Sequence, residues 1–153
     1  MGGQEPGQAF TGLTRFLAPR DGSSLGYAQV QDTFTSLDAE NRSLVNPSSV
    51  DFYHMQGNIE DHASNLPLVA ANALKLVDNL RYMVGMEALY AAQAVDLRGK
   101  PTLGRVTGPV YDAFRKEVPF LDADRNLSID IEKAYHFIAD GRLDAVIRQA
   151  DAN

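Results

Sequence analysis

Cysteine and tryptophan are both absent from the 153 residues. Without cysteine there is no disulfide, no thiolate nucleophile and no cysteine-ligated zinc. Basic charge is also scarce: fourteen Lys and Arg stand against twenty Asp and Glu, for a net charge of −6. With no lysine or arginine cluster to offset that balance, the composition argues against a nucleic-acid partner. The only histidines are His54, His62 and His136. None of them is paired at the three- or four-residue spacing of a helical ligand set, so no metal site is expected. No glycine-rich phosphate loop occurs, and no strand–turn–helix context surrounds Ser23 and Ser24 to make a nucleophile elbow. No basic segment leads into an apolar run at the N-terminus, so no signal peptide is expected. The longest apolar stretch is interrupted by Glu87, Gln93 and Asp96, at a depth where a membrane makes charge costly. The expected setting is the cytoplasm, away from membranes.

What the chain does have is one dominant stretch, residues 58–98. An acidic, histidine-bearing turn, Asn58-Ile59-Glu60-Asp61-His62-Ala63-Ser64-Asn65, opens into a helix predicted from Leu66 to Arg98. Pro67 suits a first helical turn, where its missing N–H costs nothing. Asn65 is placed to cap that turn with its side-chain oxygen. At about 1.5 Å per residue the helix is roughly 50 Å long, whereas a compact globule of this chain length is about 40 Å across. Its first half is amphipathic, with Leu66, Val69, Ala73, Val77, Leu80 and Val84 near helical spacing. From Tyr82 to Leu97 it is apolar nearly all round, which predicts burial on every face. The expectation is the middle of a helical bundle, with some helices supplied by other chains. Glu87, Gln93 and Asp96 then become buried polar residues paired with neighbouring helices.

The remainder is helical with irregular connections. Residues 1–12 are a Gly-, Gln- and Pro-rich lead-in, and residues 13–153 form the helical body. A short apolar piece, Leu13 to Ala18, is stopped by Pro19. A helix is predicted from about Ser24 to Leu44, with Tyr27, Val30, Phe34, Leu37 and Leu44 on one stripe. Residues 46–65 form a long irregular connection, a kind that is often functional. Pro109 starts a short helix that Pro119 stops. Ser128 is read as the N-cap of another helix, which ends at Gly141. A last helix covers Leu143 to Ala150. No strand is predicted, and the class is all-α.

Two constellations invite chemistry. Glu60, Asp61 and His62 could do acid–base work if a carboxyl were buried enough to raise its pKa. The plainer reading is an acidic approach to a helix N-terminus. Asp122, Asp124, Asn126, Ser128 and Asp130 alternate like a calcium loop. However, Leu127 and Lys133 occupy the positions where such a loop needs glycine and glutamate, so this is read as a loop and a helix cap.

Three pieces taken together resemble one family. Pro47-Ser48-Ser49-Val50-Asp51, Glu60-Asp61-His62-Ala63-Ser64 and Glu87-Ala88-Leu89-Tyr90-Ala91-Ala92-Gln93-Ala94-Val95-Asp96-Leu97-Arg98 resemble the C-terminal part of histidine ammonia-lyase and its aromatic amino-acid lyase relatives. Thr11-Gly12-Leu13-Thr14-Arg15-Phe16-Leu17, Gly22-Ser23-Ser24-Leu25-Gly26-Tyr27 and Val118-Pro119-Phe120-Leu121-Asp122-Ala123-Asp124-Arg125 extend the resemblance in order along the chain. It implies a long-helix bundle of the fumarase/aspartase-like kind, usually a homotetramer whose active sites combine three chains. The implied reaction is non-oxidative elimination of ammonia from an amino acid. Its electrophile is a methylidene-imidazolone (MIO) formed from an internal Ala-Ser-Gly.

That tripeptide does not occur in this chain, where the nearest string is Ala63-Ser64-Asn65. The resemblance therefore implies a chain with no cofactor of its own, inactive alone, whose partners are the N-terminal portion of a lyase, further lyase chains and the amino-acid substrate. The family's acidic active-site position falls on Glu60, which histidine lyases keep as glutamate, near the substrate's amino group or imidazole. Ile59 and Asn65 depart from the family's usual glutamine and methionine. The alternatives are part of a related aminomutase and a non-catalytic oligomerisation protein on the lyase scaffold.

Overall fold

The structure is a computed structural model that describes residues 11–19, 24–50, 56, 59 and 65–152. Among these it is all-α, with no strand. A 3-10 turn at Arg15–Leu17 precedes α1 (Val30–Leu44), and a second at Ser48–Val50 follows it. Then come α2 (Leu66–Leu97), α3 (Thr107–Glu117), α4 (Leu127–Ala139) and α5 (Arg142–Asp151).

Helix α1 begins six residues later than the apolar stripe predicts, and Gly26 is the reason. Its φ is +58°, and a Cβ there would lie 2.5 Å from the Phe16 carbonyl oxygen. That left-handed conformation is open to glycine and cannot continue a right-handed helix. The adjacent Tyr27 N–H donates to the Phe16 carbonyl at 2.9 Å, so residues 24–27 are fastened to the 3-10 turn instead.

The long helix ends as a Schellman motif. Gly99 takes φ +79°, its N–H reaches the Asp96 carbonyl at 2.9 Å, and the Lys100 N–H reaches that of Val95 at 3.0 Å. Helix α4 is capped two residues earlier than expected. The Asn126 side-chain oxygen accepts the Ser128 N–H at 3.1 Å, and Ser128 lies inside the first turn. Asn126 has the extended backbone that a cap needs, with φ −68° and ψ 100°.

The chain divides into two compact units. One comprises Met1–Phe34 with Arg81–Asn153, and the other Thr35–Leu80. The first holds the apolar core. Tyr27, Val30, Met86, Leu89, Phe114, Val118, Leu121, Ala134 and Phe137 are all buried. Gly85 permits the closest helix approach there, because a Cβ on it would sit 3.0 Å from the backbone of Ala134 and Tyr135. One turn earlier, Tyr82 stacks on Tyr135 with ring centroids 4.0 Å apart.

This revises the expectation about the long helix. Its all-round apolar half buries Met86, Leu89, Ala92 and Gln93 within this chain's own unit. Val84, Glu87 and Ala91 of that half stay exposed, so it is not buried on every face, and the amphipathic half is more open still.

In the second unit the only fully buried side chain among the described residues is polar. Asn79 is 1% exposed, and its amide donates to Glu40 at 2.7 Å and to the Asn41 side chain at 3.0 Å. Leu66, Val69, Leu74, Val77 and Leu80 on α2 are exposed, Leu74 to 74%.

Candidate functional site

The expected site residue, Glu60, lies outside the described residues, as do Asp61, His62 and His54. What the structure does give is the two anchorages on either side of that turn. Upstream is the 3-10 turn Ser48–Val50. Downstream is Asn65, with φ +48°, whose carbonyl accepts the N–H groups of Leu68 and Val69 at 3.0 and 3.1 Å and so starts α2. The Asn65 side-chain amide donates back to the Ser48 carbonyl at 3.0 Å. A conventional N-cap has extended backbone, so Asn65 occupies the cap position in a different conformation.

The first unit carries a buried polar network built on the last turns of α2. The Gln93 amide pairs with the backbone of Leu121 in both directions. It donates to the carbonyl at 2.9 Å and accepts the N–H at 3.1 Å, as a neighbouring strand would. It also donates to the Leu17 carbonyl at 3.3 Å. Asp96 accepts from the Tyr111 hydroxyl at 2.6 Å and from Arg115 at 2.7 and 2.8 Å. Lys100 adds a more exposed contact at 3.4 Å. Burial, then the Asp96 carboxylate, pushes the Tyr111 phenol above its ordinary pKa. Burial is also the foremost cause raising Tyr27 and Tyr90.

Arg115 and Arg125 hold the segment after α3 by its carbonyls. Arg115 donates to Val118 at 3.1 Å, and Arg125 donates to Pro119 and Phe120 at 2.9 Å each. Arg125 also pairs with the buried Asp130 at 2.8 Å. Asp124 takes the Ser24 hydroxyl and the Leu25 N–H, the latter at 3.1 Å. Those two bonds hold its carboxyl below the usual carboxylate range. The loop whose alternation imitates a calcium site thus spends Asp124 and Asp130 on the protein itself.

Gln93 and Asp96 are the paired polar residues the sequence led us to expect. Glu87 is not: it is exposed and stands at an apolar groove of about 610 Å³ between α2, α3, α4 and α5, floored by Ala88, Ala91 and Ala92. The partners of Asp96, Tyr111 and Arg115, escaped the sequence reading. Their signal was an arginine in the last turn before a proline-ended helix, which is also what dipole compensation alone would place there. Among the described residues no group of acidic or histidine side chains could hold a metal ion. None of their helices is long and apolar enough to cross a membrane.

The family model for aromatic amino acid lyases matches residues 7–116. A histidine ammonia-lyase from Gloeobacter violaceus is 40% identical over 132 residues, covering 86% of this chain and 26% of that protein. Among solved structures, the ergothioneine-degrading ergothionase of Treponema denticola superposes with a TM-score of 0.84 at 50% identity, covering 89% of this chain and 27% of that one. A tyrosine aminomutase from Streptomyces globisporus superposes with a TM-score of 0.84 at 33% identity, covering 91% and 27%. The chain spans about a quarter of the length of the relatives it matches.

Proposed function

This chain belongs to the aromatic amino acid lyase family, and from that premise we propose that it is the C-terminal quarter of a histidine ammonia-lyase-like enzyme. The observation that carries the reading is the 40% identity with a histidine ammonia-lyase over nearly the whole chain, with glutamate at position 60. In this reading Glu60 contributes a carboxylate near the substrate's amino group or imidazole, where it pairs with positive charge and moves a proton. The family's methylidene-imidazolone group supplies an electrophile for the amino group. Its precursor is not among these residues, since Ala63-Ser64-Asn65 lacks the terminal glycine. The chain alone is therefore inactive.

Its partners are the N-terminal portion of the lyase and further copies, in a cytoplasmic tetramer. The exposed Leu66, Leu74, Val77 and Leu80 support such an assembly, because apolar helix faces of this kind call for cover.

The test is to produce the chain alone and together with a partner polypeptide bearing Ala-Ser-Gly. The chain alone should release no ammonia from histidine and the complex should. Glu60→Gln should lower the turnover of the complex about 100-fold, within the range for removing a general acid or base. Turnover by the isolated chain, or an unaffected Glu60→Gln complex, defeats the reading and leaves a scaffold used only for assembly.

A second substrate is favoured by one observation, the 50% identity with ergothionase. Ergothioneine is a histidine derivative whose amino nitrogen is a trimethylammonium, and a carboxylate at position 60 suits that cation as well. Release of trimethylamine from ergothioneine rather than ammonia from histidine decides for it. A β-amino acid product moves the assignment to an aminomutase.

A further inference from the structure

Glu87 is the one charged residue on the apolar groove between α2, α3, α4 and α5, and it has no hydrogen bond or ion pair among the described residues. All of the groove belongs to the unit that contains Arg81–Asn153. Its wall on α2 is made by Val84, Ala88, Ala91 and Val95. They recur at intervals of four, three and four residues, the spacing of the seam along which one helix packs side by side with another. Val84 and Ala91 are exposed and Ala88 and Val95 half-buried, so the seam is open. Glu87 flanks it directly, at the position from which paired helices choose partners by charge. The other polar side chains on the groove are committed. The Tyr111 hydroxyl donates to Asp96 at 2.6 Å, and the Thr107 hydroxyl accepts the Gly104 N–H at 2.9 Å. An occupant must therefore satisfy its own backbone groups, as a helix does and an extended segment does not.

We propose that this groove seats a helix from the rest of the lyase. That helix is apolar along the face it lays on Val84, Ala88, Ala91 and Val95, and it carries a lysine or arginine opposite Glu87. This inference rests on the reading of the chain as the C-terminal quarter of such an enzyme. The match to the Gloeobacter violaceus protein takes up only 26% of that protein, so an enzyme of that length has ample chain to supply the helix. A second copy of this chain fits the groove less well. Within residues 84–95 the positions beside the seam are Gly85, Glu87, Ala92 and Ala94. Two copies laid seam to seam would bring two carboxylates and no cation, in a chain whose net charge is already −6.

The chain has no cysteine, so Ala91→Cys places a single reporter thiol on the seam. Its alkylation by N-ethylmaleimide is followed by the mass of this chain, free and in complex with the Ala-Ser-Gly-bearing portion. Assembly should slow it by about tenfold or more, because a packed interface core excludes solvent. That readout uses a small side chain and does not depend on bulkier variants folding. In sedimentation titrations Ala91→Trp should weaken the complex about 10- to 100-fold by overfilling the seam. Glu87→Lys should weaken it about tenfold by setting like charges opposite each other. Alkylation at the free rate in an active complex, with every variant bound as tightly as wild type, overturns the proposal and leaves the lyase reading standing. Glu87→Lys bound like wild type overturns the stated partner chemistry. Protection of the thiol in the free chain as its concentration rises assigns the groove to a second copy and overturns the proposal too. The absence of any complex with wild type defeats the lyase reading itself, and the inference falls with it.

Discussion

The two units of this chain differ in what they bury. Two helices run through both: α1 passes from one unit to the other after Phe34, and the Leu66–Leu80 part of α2 belongs to one unit and the Arg81–Leu97 part to the other. In the unit containing Arg81–Asn153, three short helices pack on one another, and large apolar side chains such as Met86, Leu89, Phe114 and Leu121 reach 2% exposure or less. In the Thr35–Leu80 unit, the one buried residue among those described is Asn79, held by Glu40 and Asn41, while Leu66, Leu68, Val69, Leu74, Val77 and Leu80 are exposed. A helix's apolar periodicity thus says which side wants cover. It does not say whether the same chain provides it.

The largest expected effect falls on the buried network of the packed unit. Arg115 and Asp96 have side chains only 11% and 7% exposed. Arg115→Ala leaves the carboxylate with the Tyr111 hydroxyl and the distant Lys100 amine, and should cost about 3–5 kcal/mol in a chemical denaturation series. A loss under about 1 kcal/mol would mean that solvent reaches this site.

A paired substitution tests the contrast directly. Leu89→Ala empties a fully buried position and should cost about 2–5 kcal/mol. Leu74→Ala, on the same helix but in the open unit, should stay within about 0.5 kcal/mol for the isolated chain, while weakening assembly with lyase partners seen by sedimentation. Equal costs for the two would remove the distinction between the units.

The smallest effect is electrostatic. Because the folded-state pKa of Asp124 is lowered, chiefly by the Ser24 hydroxyl and then the Leu25 N–H, its contribution is present above the unfolded value of about 3.9. It is lost as the pH falls through the folded value, so it fades only below about pH 4. Denaturation midpoints of wild type and Asp124→Asn should therefore converge in acid and separate towards neutrality. Parallel curves would show that the clip to residues 24–26 carries no charge.

Much of the helical order was legible because its cues are local. Gly99 after the last apolar turn, Pro119 after α3 and Gly141 after α4 all mark real ends. The start of α1 was misjudged because the stripe from Tyr27 onward is continuous, whereas the break at Gly26 is set by the Phe16 carbonyl, a contact ten residues away. The cap of α4 shifted from Ser128 to Asn126 because both residue types cap well and only backbone conformation separates them. Of the candidate site, Glu60 was named through resemblance. The Asn65–Ser48 bond was invisible, since nothing in the spacing announces which carbonyl a side-chain amide will find.

The sequence alone settled the class, the long helix from Leu66 and the lyase likeness, because helical period, end residues and motif order are properties of neighbours along the chain. Tertiary structure alone decided that one face of the all-round apolar half of α2 buries Met86, Leu89 and Ala92 while Glu87 stays exposed, and that Gln93 and Asp96 find Leu121, Tyr111 and Arg115. Those outcomes depend on which distant surfaces exclude water together, and no local pattern encodes that.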